Sequence, residues 1–238
     1  MFYSDNFTFN NISSKDYNIY LVSQGGGILN EHGLPFDINN DDTNITLEFC
    51  YADENGVPLT WDSRTITTFL EWVITDDYCE FISDDNKEVV YFLKGVEYSK
   101  NFTSDLKGII KVTFKSISQF AYKHVIKEIE LGESSFSIYN YSNCDNNYKP
   151  VITLGNISSD NIIITNNTTG KTPLEIYGLR DISNICIDNK MGTILDSKKN
   201  NLITNSNRSW IELSKGMNDF SVEGSCSLII ESYYPIMV

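Results

Sequence analysis

Two aspartates in the last quarter of the sequence have the residue type and spacing of a possible catalytic pair. Asp188 and Asp196 lie in ICIDNKMGTILDSKKNN, residues 185–201. Two carboxylates roughly 5–10 Å apart on one side of a site can act as acid and base, or as acid and nucleophile, in glycoside hydrolysis. Whether these two can do so depends on the elements that position them.

The pattern of this segment predicts a β-hairpin. Isoleucines alternate with other residues, and an Asn-Lys-Met-Gly connection follows, in which Asn and Gly tolerate the backbone angles of a tight turn. In a hairpin across this connection, Asp188 lies opposite Thr193. Asp196 then lies opposite Ile185, roughly 10 Å further along the ladder and on the other face of the sheet. We therefore predict that both carboxylates frame turns and do not form a dyad.

Other arrangements in the sequence also fail to predict a catalytic, cofactor or metal site. His32 and His124 fall in different predicted domains, and neither has a nucleophile nearby. Gln24–Gly27 is rich in glycine but lacks the Lys-Ser/Thr and the helix of a phosphate-binding loop. The five cysteines have no metal or redox spacing and are expected to be reduced. An enzyme, for instance a cell-wall hydrolase, would need a cleft of convergent acids or a histidine.

Composition predicts a globular and acidic protein of 238 residues. Hydrophobic residues make up 41% of the chain, and its formal net charge is -14. No secretory signal and no membrane-spanning run of apolar residues is expected. Residues 31–88 contain 15 acidic and two basic residues. This acidic surface repels phosphate and anionic lipid, so it is either a solvated face or one that a polyanion passes without binding.

The N-terminal part is predicted to combine strands with one helix. Apolar residues recur with helical period in DSRTITTFLEWVITDD, with Asp62 or Ser63 as the cap and an end before Asp76. CEFIS and EVVYFLKG predict a strand pair, and the alternation in GIIKVTFKSI, residues 108–117, predicts another strand.

From Gly132 onward the sequence predicts strands and turns only. Strand-like runs, including SFSIYNY, NIIITNN, SWIEL and CSLIIESYYP, follow at short intervals with Asn, Gly and Asp between them. This spacing is typical of an antiparallel sandwich or jelly roll. We therefore predict a mainly β fold with two domains, residues 1–131 and 132–238.

Exposed aromatic side chains on the second domain could stack on sugar rings. The candidates for saccharide or partner contact are Trp210, Tyr233 and Tyr234. The alternative is that Trp210 packs in the core or against a partner, because a buried Trp is common in such sandwiches.

The order of several motifs resembles the distal tail proteins (Dit) of long-tailed siphophages. FNNISSKDYNIYL, residues 9–21, resembles the opening of these proteins. The helix with Trp72, then VVYFLKG and GIIKVTFKSISQFAY, follow in the family's order, although Gln119 stands where the family usually has Pro. The second half resembles the family's galectin-like domain through SIYNYSN, KPVITL, IIITNNTTG, ICIDNKMG and WIELSKGMNDF.

The resemblance implies a fold and a role in the virion. The fold is a ring-forming N-terminal β-sandwich or belt domain with one α-helix, followed by a galectin-like antiparallel β-sandwich. The role is a homohexameric ring at the distal end of the tail, assembled in the host cytoplasm. The ring joins the major tail tube protein to a tail-associated lysin or fibre hub protein. The tape measure protein and DNA pass through it without specific binding, and no enzyme activity, cofactor or membrane contact is implied.

Two hypotheses link this resemblance to particular residues. The first is that part of the acidic segment lines the channel of the ring, for example Asp76, Asp77, Asp84 and Asp85. The second, an alternative function, is a lectin-like protein of the tail tip that binds cell-wall saccharide through exposed aromatics of the second domain.

Overall fold

The computed structural model describes residues 3–23, 44–144 and 147–237, and within them the protein is mainly β with one α-helix. His32 and Gln24–Gly27 therefore lie outside the described residues. The chain divides into two compact units that meet in sequence between Tyr122 and Lys123. In the described ranges no helix is both long enough and apolar enough to cross a membrane.

The first unit is built from short strands around the predicted helix. Its described elements are β1 (Tyr3–Asp5), β2 (Phe7–Phe9), β3 (Ile12–Ser13), β4 (Ile19–Ser23), β5 (Asn44–Tyr51), α1 (Ser63–Val73), β6 (Cys79–Ser83), β7 (Val89–Phe102) and β8 (Gly108–Ser116). The main sheet has the order β1-β4-β5-β8-β7, while β6 pairs with both β7 and β2, and β2 pairs with β3. The predicted pairing of β6 with β7, and the predicted strand β8, are confirmed.

Helix α1 begins and ends where its sequence predicts. The Asp62 carboxylate accepts the backbone N–H of Thr65 at 2.7 Å, and the helix ends at Val73. On its buried face, the Trp72 ring stacks on Phe7 with 5.3 Å between the ring centroids. The Trp72 indole N–H also donates to the carbonyl of Phe9 at 3.0 Å. The helix is thus fastened to strand β2 by both packing and a hydrogen bond.

The helix cap leads to a pH-dependent prediction. The hydrogen bond from the Thr65 backbone N–H lowers the pKa of Asp62. The carboxylate therefore stabilises the fold above its ordinary pKa of 3.8, and this contribution is lost as pH falls through the lowered value. We expect Asp62→Ala to lower Tm at neutral pH, with a difference from the native chain that shrinks in acid. Asp62→Asn, which caps without titrating, is the control. A Tm difference for Asp62→Ala that is the same at both pH values would argue against a role for the charge.

The second unit is an antiparallel β-sandwich, as predicted. Its strands are β9 (Ala121–Ile129), which begins before the division of the chain, β10 (Ser135–Asn140), β11 (Val151–Gly155), β12 (Asn161–Asn166), β13 (Leu174–Tyr177), β14 (Ile185–Asp188), β15 (Thr193–Asp196), β16 (Gly216–Glu223) and β17 (Ser227–Ile236). One sheet has the order β10-β16-β12-β13, and the facing strands are β17-β11-β14-β15. Alternate residues of both sheets form one buried core, which includes Ile152, Ile164, Phe220 and Ile230.

The predicted strand over SWIEL is wrong. Residues 209–213 lie outside the strands, and within them Leu213 forms an isolated antiparallel bridge with Tyr148. Asn189 accepts the N–H of Ile211 at 2.8 Å, and Asn166 donates to the carbonyl of Glu212 at 2.7 Å. At Ile211 and Glu212, asparagine side chains thus take the place of a neighbouring strand.

Candidate functional site

The predicted register of the 185–201 hairpin is confirmed. Asp188 lies opposite Thr193, and Ile185 lies opposite Asp196. The Asp188 carboxylate accepts the backbone N–H groups of Lys190 at 2.9 Å and Met191 at 2.8 Å. Asp188 therefore holds the turn that follows it.

Asp196 has the same role in the next turn. Its carboxylate accepts the backbone N–H groups of Lys198 and Asn200, each at 2.8 Å. Hydrogen bonds from Asn200, chiefly from its side-chain amide, lower the pKa of Asp196. Because Asp188 and Asp196 occupy ladder positions of opposite parity, their side chains leave the sheet on opposite faces. Asp188 and Asp196 therefore each stabilise a turn, and they do not form a catalytic dyad.

The aromatic candidates for sugar contact are less available than predicted. Tyr234 is a wrong choice, since its side chain is fully buried in the sandwich core. The alternation of β17 turns Tyr234 inward with Leu228 and Ile230. Burial also raises the pKa of Tyr234 to about 12. Tyr233 is half-buried, and its ring stacks on the imidazole of His124 with 4.1 Å between the centroids.

Trp210 follows the core-packing alternative. It is half-buried and packs against the sandwich core. Its ring also lies over Gly192, where an added Cβ would meet the indole at 3.4 Å. The aromatics that the second unit does expose are Tyr139, Tyr141 and Tyr177, which sequence reasoning missed. The alternation of SFSIYNY could have identified Tyr139, because it has the parity opposite to the buried Phe136 and Ile138.

The four acids proposed for a channel wall fall into two groups. Asp76, Asp77 and Asp85 are exposed and form no ion pair with any described residue. Asp84 is partly buried, and lysines contact both of its oxygens, Lys15 at 3.2 Å and Lys87 at 3.4 Å. Asp84 therefore contributes less free negative charge than its three neighbours.

The most unusual surface of the first unit is the outer half of the hairpin formed by β7 and β8. Residues 96–101 of β7 are in strand conformation, yet all six are exposed on both faces. They pair with β8, while the pairing of β7 with β6 ends at Leu93. Val96 and Tyr98 are exposed apolar residues of this stretch, and the side chain of Tyr98 is 49% exposed. We call residues 96–101 the open hairpin segment.

Gly95 marks the start of the open hairpin segment. It forms a bridge with Ile74 just after the helix, and a β-bulge follows between Gly95 and Glu97. A Cβ at Gly95 would lie 2.3 Å from the carbonyl oxygen of Val73. Only glycine lets the end of α1 approach the strand this closely.

We expect Gly95→Ala to lower the free energy of unfolding by about 1–3 kcal/mol, the usual range for overpacking. Gly155→Ala is the matched control, because its added Cβ meets side-chain atoms no closer than 3.1 Å. Urea denaturation of both variants checks this. Equal stability of the two would show that the backbone at Gly95 moves away without cost.

The turn of this hairpin lies beside a cavity of about 290 Å³. Its apolar walls include Tyr51, Ala52 and Pro58. The polar groups at its rim bond to one another, as Asp105 does to Thr103 and Lys107. The cavity can therefore accept an apolar group but offers few free polar partners. In the same ranges of the structure, no three His, Cys, Asp or Glu side chains are grouped to hold a metal ion.

Comparison with known proteins finds similarity to phage and prophage proteins. Residues 120–232 match the model of a family described as "Phage tail C-terminal domain". The SPbeta prophage-derived protein YomH of Bacillus subtilis is 23% identical over 97% of both chains.

Solved structures share the fold of the whole chain. The Dit protein of SPP1, described as a hub of the adsorption apparatus in phages that infect Gram-positive bacteria, superposes with a TM-score of 0.59 at 11% identity. That match covers 97% of this chain and 99% of the SPP1 protein. A chain of the phage P2 baseplate gives a TM-score of 0.55 at 9% identity, over 96% of this chain and 97% of its own. The predicted resemblance is therefore confirmed: the chain has the Dit fold, and its residues 120–232 match a phage tail C-terminal domain.

Proposed function

We propose that this chain is a structural protein of a phage tail, which closes into a homohexameric ring at the distal end of the tail. The ring joins the major tail tube protein to the tail-associated lysin or fibre hub protein, and it surrounds the path of the tape measure protein and DNA. The Dit fold and the phage tail match support the tail role. The observation that supports assembly is the open hairpin segment.

Two different strand regions of the first unit are candidates for contact between copies. One is the exposed open hairpin segment of β7, and the other is β1, which ends the order of the sheet. A strand edge with unpaired backbone groups and exposed apolar side chains is prone to pair with another chain. Contact between two different edges is head-to-tail, and such contacts generate a ring when the rotation closes. The number six rests on the resemblance to Dit proteins.

The acidic side chains suit a wall past which DNA moves. Phosphate groups bind proteins mainly through lysine and arginine, and a negative surface repels them. Asp76, Asp77 and Asp85 are exposed and unpaired within the described ranges, so we propose that they face the channel. Asp84 contacts Lys15 and Lys87, so its charge is partly neutralised and it is the weakest candidate for a channel-facing residue.

The proposed role is structural and not catalytic. The strongest candidate for a carboxylate dyad, Asp188 with Asp196, supports turns. The lectin-like alternative relied on Trp210, Tyr233 and Tyr234, of which Tyr234 is buried. That alternative keeps the half-buried Trp210 and Tyr233 as candidates and adds the exposed residues Tyr139, Tyr141 and Tyr177.

Negative-stain electron microscopy with native mass spectrometry tests the ring directly. The purified chain is examined over a range of concentrations, alone and with the tail tube protein of the same phage. We expect six-fold rings in at least one of the two series. Monomers in both, together with binding to host cell walls in a pull-down, would reject the hub and favour the lectin-like function.

A further inference from the structure

The second unit closes two of its sheet edges with its own loops. Along β13, the backbone N–H of Asn207 donates to the carbonyl of Glu175 at 3.1 Å, and the Asn207 side chain accepts the N–H of Glu175 at 3.2 Å. Along β15, the N–H of Leu202 donates to the carbonyl of Ile194 at 2.8 Å. These contacts occupy backbone groups that would otherwise be available to another strand.

The edge strand β10 is not closed in this way. It pairs with β16 over all six residues, from Ser135 opposite Ser221 to Asn140 opposite Gly216. No described residue pairs along its other edge, where it ends the sheet order. In an antiparallel ladder, alternate residues direct their N–H and C=O groups to each side. Half of the backbone groups of β10 therefore point toward an open edge.

The sequence of β10 lacks the features that usually protect an edge. The strand reads SFSIYN, without charge, proline or bulge. Charged side chains, prolines and bulges are the common means by which proteins prevent pairing at an edge. Tyr139 on its outer face is 47% exposed and lies opposite Met217, which is 55% exposed. The open backbone edge is thus bordered by exposed apolar surface.

We propose that β10 pairs antiparallel with β10 of a second copy of this chain, about a two-fold axis at Ser137. Residues that face the core in one copy must pair with residues that face the core in the other copy, and exposed residues must pair with exposed ones. With the axis at Ser137, Phe136 lies opposite Ile138 on the inner face, and Tyr139 lies opposite Ser135 on the outer face. An axis at Ile138 would instead place Phe136 opposite the polar Asn140.

The fit is self-complementary because uncharged β10 places no like charges opposite each other. Outside β10 the two copies repel each other, because each copy has a formal net charge of -14. Screening by salt weakens such repulsion. We therefore expect the two-fold association to strengthen as ionic strength rises. This contact goes beyond the proposed ring, which uses the first unit.

A cysteine at the axis tests the register. Directly opposed residues have Cα atoms roughly 4.5–5.5 Å apart, within the reach of a disulfide. Ser137→Cys in the full chain should therefore form a disulfide-linked dimer under mild oxidation. Ser135→Cys is the matched control, because the two copies of residue 135 lie four residues apart along the strand, roughly 14 Å. Peptide mapping must identify the link as 137–137, since five native cysteines are present.

We expect at least tenfold more 137–137 than 135–135 product. Equal yields, or no 137–137 link at any protein or salt concentration, would overturn the proposal. Ser135→Glu combined with Tyr139→Glu, which places like charges opposite each other on both sides of the axis, should abolish two-fold association in sedimentation velocity while circular dichroism still shows a folded chain. Unchanged association of this variant would likewise overturn it. A variant that loses the ring through the open hairpin segment should still give the 137–137 link, so the two proposals fail separately.

Discussion

Replacing Tyr98 by aspartate should abolish ring formation and leave the chain folded. Tyr98 lies in the open hairpin segment with 49% of its side chain exposed, and its ring contact within the chain is with the ammonium of Lys100 at 5.6 Å. We therefore expect the substitution to change the free energy of unfolding only slightly. In a ring, a tyrosine at this position becomes covered, and full burial of such a side chain contributes roughly 1.5–3 kcal/mol. Aspartate removes this contribution and adds a charge that must lose water, so association weakens by roughly tenfold to several hundredfold per contact.

Two controls separate assembly from folding. Tyr98→Phe retains the apolar ring and should still assemble. Tyr177→Asp changes a similarly exposed tyrosine of the second unit and should leave assembly unchanged. Negative-stain images report rings, and circular dichroism melting reports folding. Six-fold rings of Tyr98→Asp at the concentration where the native chain forms them would show that the open hairpin segment is not the contact.

Trp72→Ala should cause the largest loss of stability in the first unit. The ring of Trp72 stacks on Phe7 and also contacts Phe69 with 6.2 Å between the centroids. Its side chain is almost fully buried. Removing a buried aromatic ring typically costs about 3–5 kcal/mol, because apolar contacts are lost and a cavity remains.

Trp72→Phe isolates the hydrogen bond from the packing. It keeps an aromatic ring against Phe7 but leaves the carbonyl of Phe9 without its indole donor. A buried polar group without a partner costs roughly 1–3 kcal/mol. Glu71→Ala, on the exposed side of the same helix, should change stability by less than about 0.5 kcal/mol. Urea denaturation followed by circular dichroism measures all three, and a loss below about 1 kcal/mol for Trp72→Ala would mean that the core closes around the gap.

The features that follow from local pattern could be predicted from the sequence. Helix α1 has a 3.6-residue apolar period and a capping residue at Asp62, and both signals lie within one short segment. The 185–201 hairpin was equally predictable, because its alternation and its turn residues agree on one register. Local signals of this kind suffice when they agree with one another.

The remaining features depend on contacts between distant residues. Gly95 looks like the end of a strand in the sequence, but β7 continues past it through a bulge and pairs with β8 as far as Phe102. Adjacent tyrosines must face opposite sides of a strand, and only the position of the core decides that Tyr234 is the buried one. Residues 209–213 have strand-like composition, but distant asparagines bind the backbone of Ile211 and Glu212. Contacts between copies are the hardest to predict, because they depend on two surfaces and local sequence pattern describes neither of them.

The placement of the three tryptophans gives each unit its own optical reporter. Trp61 and Trp72 lie in the buried core of the first unit, whereas Trp210 is the half-buried tryptophan of the second. Indole emission shifts to longer wavelength as the ring meets water. The first unit therefore contributes the bluer emission, and the second contributes a redder component. The two components can thus follow the unfolding of each unit in the intact native chain, and they can report whether assembly stabilises one unit or both.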